Sequence, residues 1–139
     1  MLTQFQKEKL RPFTLHPKFG KLLIDAINVW ETAIPNQGRY GITRWLFLGH
    51  EQSFVAAAKY RFDDRNDNKC CLIGACLVNK AVDESISMEG SVNEYFDIQY
   101  DETRALIHGF DEELNSVYCD YEGYIFANQV AKIIFHERE

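Results

Sequence analysis

The segment CCLIGACLVNKAV, residues 70–82, decides the fold of this chain. Its apolar and small residues cover nearly every face of a helical wheel, and a helix of that kind is buried. Gly74 and Ala75 in its middle allow another backbone to approach closely, although glycine costs about 1 kcal/mol relative to alanine inside a helix. We therefore predict a central, buried helix over residues 70–82.

Helical spacing of apolar residues also appears in the N-terminal half. It predicts an amphipathic helix over residues 17–33, which Pro17 can begin because its missing N–H costs nothing in the first turn. Residues 3–10 predict a shorter helix that Pro12 ends, since proline disfavours helical geometry in the residue before it. The alanine-rich residues 51–60 favour a third helix.

The C-terminal half predicts two further amphipathic helices. Acidic residues in the first turn and Gly109 as a stop signal indicate one helix over residues 97–110. Residues 124–134 carry the last. Before these helices, residues 83–90 are interpreted as a loop and residues 92–96 as a single helical turn.

These elements predict a mainly α protein, an irregular bundle of four to six helices in one domain spanning residues 1–139. Residues 42–48 fit both a strand and a buried helix, so a short β segment near residues 40–48 stays open. A chain of 139 residues with 46% hydrophobic content can form a full core without a disulfide or structural metal. Three of the four cysteines crowd one apolar segment, which predicts reduced, buried thiols and a cytoplasmic protein.

Composition excludes several classes of function. Lys and Arg number 15 against 21 Asp and Glu, a net charge of −6, so binding to a phosphate backbone would lack its main electrostatic term. No apolar run approaches the roughly 20 residues that a membrane-spanning helix needs. Glycine-rich phosphate loops, nucleophile elbows and zinc-protease helices are missing from the sequence, which lowers the expectation of an enzyme. We predict no cofactor, no membrane and no nucleic-acid partner.

The sequence Cys70-Cys71-Leu72-Ile73-Gly74-Ala75-Cys76, together with the Gly109-Phe110-Asp111 turn, resembles a group of small bacterial and phage proteins. In that group a Cys-x-x-x-Gly-Ala helix is followed by a helix with an acidic start, a Gly-Phe-Asp turn and a closing helix. The resemblance covers residues 70–135. It implies a helical fold and no catalytic residue.

Residues 111–122 match the oxygen-ligand spacing of a helix–loop–helix calcium site. The matching positions 1, 3, 5 and 12 are Asp111, Glu113, Asn115 and Glu122. Position 6 is Ser116, where that loop needs glycine for its sharp turn, and position 9 is Cys119, a poor partner for a hard cation. A calcium-binding module is therefore one alternative function, beside a merely solvated acidic loop.

An enzyme or small-ligand domain with a dispersed polar pocket is a second alternative. Its catalytic candidates are His50, His108 and Cys119, because a histidine can convert a thiol to its nucleophilic thiolate and Asp111 could orient that histidine. Cys119 follows a tyrosine in a polar loop, whereas the other thiols fall where burial makes them inert. Stabilisation of a helix C-terminus also accounts for His108.

Clustered tyrosines provide the leading hypothesis. Tyr118, Tyr121 and Tyr124 flank the acidic Asp120 and Glu122. Tyrosine is a frequent anchor at protein interfaces, and acidic residues around it favour a partner with a basic surface. We predict a non-enzymatic protein-binding module of regulatory or accessory type that uses these five residues.

Overall fold

The computed structural model of the chain describes residues 2–32, 41–44, 69–77, 80 and 86–137. Within these residues it contains six helices and two strands of two residues each. The helices are α1 (Gln4–Thr14), α2 (Gly20–Glu31), α3 (Leu72–Leu77), α4 (Met88–Phe96), α5 (Tyr100–Phe110) and α6 (Glu122–His136). The strands β1 (Gly41–Ile42) and β2 (Lys69–Cys70) pair in parallel. The predicted mainly α fold is confirmed. Strand β1 lies within residues 40–48, the segment for which a short β segment is one of the two predictions.

The apolar segment that begins at Cys70 lies at the centre of the fold. Every residue of α3 is buried, as predicted, but the helix begins at Leu72 and not at residue 70, because Cys70 pairs with Ile42 in β2. Trp30 of α2 is fully buried beside it and donates from Nε1 to the Cys70 carbonyl at 3.4 Å. Its ring stacks on Phe110 of α5 with a centroid distance of 6.2 Å. Residues 78–79 and 81–82 of the predicted central helix, and the helix predicted over residues 51–60, lie outside the described residues.

The prediction that Pro12 ends the first helix is wrong, because α1 continues to Thr14. Pro12 lies in the last turn of α1, where only one helical hydrogen bond is lost. Phe13 follows it and packs edge-on against Phe126 of α6, with ring centroids 5.8 Å apart. This tertiary contact favours the additional turn.

The second helix begins at Gly20 and not at Pro17 as predicted. His16 accounts for the difference, because its Nδ1 accepts hydrogen bonds from the backbone N–H groups of Lys18 and Phe19 at 3.0 and 3.1 Å. The imidazole thus satisfies two donors in the turn ahead of the helix.

The buried side chain of Gln6 joins the N-terminus of α1 to the C-terminus of α6. Its Oε1 accepts from the Thr3 N–H at 2.9 Å, while Thr3 Oγ1 accepts from the Gln6 N–H at 3.0 Å, which is a capping box. The Gln6 Nε2 lies 2.9, 3.3 and 3.4 Å from the carbonyl oxygens of Ile134, Glu137 and Ile133. One amide therefore provides hydrogen bonds that two helix ends lack.

Helices α5 and α6 form the most extensive helix contact of the described fold. The predicted end of α5 at residue 110 is confirmed, but the helix begins at Tyr100 and not at residue 97. Gly109 lies in its last turn, where an added Cβ would stand 2.4 Å from the Tyr124 carbonyl oxygen. At Gly123 an added Cβ would stand 2.8 Å from the Glu102 carbonyl oxygen. Two glycines thus allow the two backbones to touch.

The interval predicted as a loop and a single turn contains a longer helix, α4. Ser87 caps it, since its Oγ accepts from the Gly90 N–H at 3.1 Å. Asp97 ends it in the left-handed conformation, with φ of 56°. Of the loop predicted over residues 83–90, the structure describes residues 86–90. Residues 88–90 belong to α4, so that part of the prediction is wrong.

Candidate partner-binding loop

The connection between α5 and α6, residues 111–121, holds most of the predicted site residues. It starts with a Schellman motif: the N–H groups of Glu112 and Glu113 donate to the Gly109 and His108 carbonyls, both at 3.1 Å. Glu112 occupies the left-handed position, with φ of 57°, which usually holds glycine. An L-residue there costs about 1 kcal/mol, so other contacts must hold Glu112 in place.

Arg44 and His136 provide those contacts. The Arg44 guanidinium, just after β1, pairs with the Glu112 carboxylate. His136, the last residue of α6, places Nε2 2.9 Å from Glu112 Oε1 and 3.1 Å from Arg44 Nη2. The guanidinium carbon also lies 4.3 Å from the ring centroid of Phe135. Three separate parts of the chain therefore meet at the first glutamate of the loop.

His108 and Tyr124 hold the next residue, Glu113. The Nδ1 atom of His108 lies 2.7 Å from Glu113 Oε2, and the Tyr124 hydroxyl donates to the Glu113 carbonyl. The His108 ring in turn stacks on Tyr118, with centroids 5.4 Å apart and planes 13° from parallel. Tyr121 packs against the edge of Tyr118, also at 5.4 Å.

The stacked rings continue onto the outer surface of α5. Tyr118 lies close to the Arg104 guanidinium, which is 3.3 Å from Glu89 Oε2. Tyr100, Arg104 and His108 share this face because they are four residues apart on one helix. We define the Tyr118 face as Tyr100, Arg104, His108, Tyr118 and Tyr121. It is aromatic as predicted, but it contains an arginine and a histidine instead of only acidic neighbours.

Two exposed apolar residues of the loop are not among the residues predicted from the sequence. Leu114 is fully exposed and Val117 is 67% exposed. Asn115 fixes the turn between them, since its Oδ1 accepts from the backbone N–H groups of Val117 and Tyr118 at 2.9 and 3.0 Å. Their only signal in the sequence is their apolar character within a polar loop. Single exposed apolar residues are common on protein surfaces, so that signal does not identify a binding site.

Of the other predicted partner-binding residues, Asp120 is exposed and lies between Tyr118 and Tyr121 in the sequence. Tyr124 is half-buried and bound to the Glu113 carbonyl. Glu122 is exposed but turns towards the start of α2, with Oε2 3.2 Å from His16 Nε2 and Oε1 3.7 Å from Lys18 Nζ. These two residues brace the loop at its ends.

The predicted calcium ligands do not converge. Glu113 faces His108, Glu122 faces His16, and Asn115 bonds its own turn. Across the described residues, no three His, Cys, Asp or Glu side chains lie close enough together to hold one metal ion. Asp111, Glu113, Asn115 and Glu122 are therefore not brought together around one point in the described structure, and the calcium site stays a prediction.

The catalytic candidates do not form a thiol–imidazole pair. Cys119 is exposed, with Sγ 3.9 Å from the Ser116 carbonyl, whereas His108 is bound to Glu113. Among the described residues no hydrogen bond joins Cys119 to His108. His50 lies outside the described residues.

The other three thiols are buried, and burial raises the pKa of Cys70 and Cys76 well above the ordinary range and that of Cys71 to about 12. We therefore expect one thiol per folded chain, Cys119, to react with an alkylating agent near neutral pH, and all four to react after unfolding. Mass spectrometry of the treated protein counts the adducts. The variant Cys119→Ser should give none while folded, and a fast-reacting second thiol would contradict this assignment.

Asp111 is the least expected residue of the site. Its carboxyl is 9% exposed, and Oδ1 has no hydrogen-bond partner among the described residues. Burial, reinforced by the nearby Glu113 carboxylate and partly offset by Arg44, raises the pKa of Asp111 from about 3.8 to about 7. An unsatisfied buried group costs about 1–3 kcal/mol, so its presence calls for an explanation.

Comparison of the chain with known protein families, with curated proteins and with solved structures finds no match. The resemblance to small bacterial and phage proteins stays a prediction. No helix in the described ranges has both the length and the apolar character needed to cross a membrane.

Proposed function

We propose that this chain is a non-enzymatic, cytoplasmic protein-binding module, regulatory or accessory in role, that binds its partner through the Tyr118 face and the adjoining loop. The observation that carries the proposal is the full exposure of Leu114 and the 67% exposure of Val117 next to stacked aromatic rings. Apolar side chains on a loop held in one conformation suit a pocket on another protein, because little conformational entropy is lost on binding.

The composition of the Tyr118 face supports the same function. Tyrosine and arginine are enriched among residues that contribute most to protein interfaces, and Tyr100, Tyr118 and Arg104 meet here. The exposed carboxylate of Asp120 and the net charge of −6 favour a partner with a basic surface. The partner we expect therefore offers an apolar pocket with basic residues at its rim.

A pair of leucine variants tests this function. Leu114→Asp changes the proposed binding surface, and Leu15→Asp makes the same change at a 79% exposed leucine in the connection between α1 and α2. A protein captured from lysate by the wild-type chain should be purified and its affinity measured for both variants. We expect Leu114→Asp to weaken binding at least about tenfold, or 1.4 kcal/mol, and Leu15→Asp to leave it unchanged.

The double variant Tyr118→Ala/Tyr121→Ala removes the ring stack and should weaken binding further. Equal affinity of the wild-type chain and Leu114→Asp for every captured protein would overturn the proposal, as would failure to capture any saturable partner. Melting curves of both leucine variants should match the wild type, since neither side chain is in the core.

A further inference from the structure

Two glutamate–histidine contacts and one buried aspartate lie at the base of the loop. Glu112 contacts His136, Glu113 contacts His108, and the buried carboxyl of Asp111 precedes them both. Each histidine forms an ion pair only when its ring is protonated. Histidine is the side chain whose charge ordinarily changes between pH 5 and 8. Two consecutive glutamates thus connect the loop to α5 and α6 through contacts that depend on protons, and the buried Asp111 lies directly before them.

We propose that Asp111, assisted by the His108–Glu113 and His136–Glu112 pairs, forms a proton-operated latch that holds the Tyr118 face assembled when Asp111 is protonated. A role for the latch in regulating partner binding rests on the function proposed above. The pH-dependent opening of the loop does not depend on that function. The latch consists of Asp111, Glu112, Glu113, His108 and His136.

The surroundings of Asp111 determine the direction of the effect. Arg44 after β1 and the Cys71 thiol before α3 face its carboxyl from other elements, and Glu113 faces it from the loop. Arg44 is engaged by Glu112 and the thiol is neutral, so ionised Asp111 would be a buried charge whose Oδ1 has no hydrogen-bond partner among the described residues. Loop opening relieves that charge by exposing the carboxyl to water.

The three groups act with the same sign. The raised pKa of Asp111, about 7, means that the closed loop retains a proton which the open loop releases above about pH 4. Rising pH between these values therefore favours opening, and the contribution of Asp111 levels off above about pH 7. Only a protonated imidazole forms an ion pair with Glu112 or Glu113, so loss of either ring proton also favours opening.

The latch is linked to the binding surface by direct contacts. His108 pairs with Glu113 on one side and stacks on Tyr118 on the other. The Tyr118 N–H is held by Asn115 Oδ1 at 3.0 Å, and the Cys119 N–H by the Asn115 carbonyl at 3.0 Å. These two amides report the Asn115 turn, and the Glu113 N–H, which donates to the His108 carbonyl at 3.1 Å, reports whether the loop is closed against α5.

Hydrogen exchange on the full chain alone, without a partner, tests the latch. Opening constants for amides of residues 113–119, corrected for intrinsic exchange, are measured at about pH 5 and about pH 7.5. We expect the wild-type constants to be at least about tenfold larger at the higher pH, since one released proton allows up to about tenfold per pH unit. Asp111→Asn should reduce this ratio to below about threefold, because it removes the buried titration.

Asp101→Asn, at an exposed aspartate of α5, is the matched control and should behave as the wild type. Protected amides of α1 report whether each variant is folded. Equal wild-type constants at the two pH values, or a full pH response in Asp111→Asn, would overturn the latch. A pH-dependent loop in a chain that captures no partner would instead overturn only the proposed function.

Discussion

Gly109→Ala should destabilise the fold by about 3 kcal/mol, even though alanine is the better helix former. The added Cβ would lie 2.4 Å from the Tyr124 carbonyl oxygen and 3.0 Å from its Cα, both backbone atoms of α6. Backbone cannot turn aside as a side chain can, so α5 and α6 must separate. The free energy of unfolding from chemical denaturation measures the loss.

Gly90→Ala is the matched control, since it makes the same substitution in α4. There the new Cβ meets Ile86 Cγ2 at 2.6 Å, a side-chain methyl of a residue that is 39% exposed, so rotation of that side chain can relieve the contact. We expect stability within about 1 kcal/mol of the wild type, helped by the higher helix propensity of alanine. Equal stabilities of the two variants would contradict the close crossing of α5 and α6.

Gln6→Met should cost about 2–3 kcal/mol, the second large effect. Methionine retains the length of the side chain but has no amide, so the carbonyls of Ile133, Ile134 and Glu137 lose a donor and the Thr3 N–H loses an acceptor. Gln6→Glu should be worse. It retains the acceptor for Thr3 but directs a negative charge at the C-terminal carbonyls of α6. Denaturant melts of both variants give the comparison.

Gln4→Met is the control for this pair, because Gln4 lies on the same helix with its side chain exposed. Its stability should stay within about 0.5 kcal/mol of the wild type. Equal free energies of unfolding for Gln6→Met and Gln4→Met would exclude the amide bridge between the two helices.

Periodicity predicted the elements whose apolar residues face one core. α2, the buried segment around α3 and α6 follow from the spacing of residues such as Leu22, Leu72 and Val130, all fully buried. The errors are at helix ends. Pro12 is a stop signal in isolation, but the contact of Phe13 with the distant Phe126 makes continued helix favourable.

The candidate site could be predicted only in part. The tyrosines of the loop stand out in the sequence because of their residue type. Asp111 stands out in the sequence only as a possible calcium ligand or histidine partner, and Arg44 does not stand out. Their proximity depends on how the segment after β1 meets the end of α5. Exposure of Leu114 is likewise a property of the folded loop.

The amide of Gln6 also has a consequence for synthesis on the ribosome. It emerges long before the carbonyl groups that it binds, at residues 133–137. Until α6 has been translated, α1 lacks the surface against which Phe13 and Gln6 are buried, so it is exposed to chaperones and proteases during that interval. The nascent chain can therefore reach its native state only after α6 has left the exit tunnel, and slow translation of α6 would lengthen its most vulnerable stage.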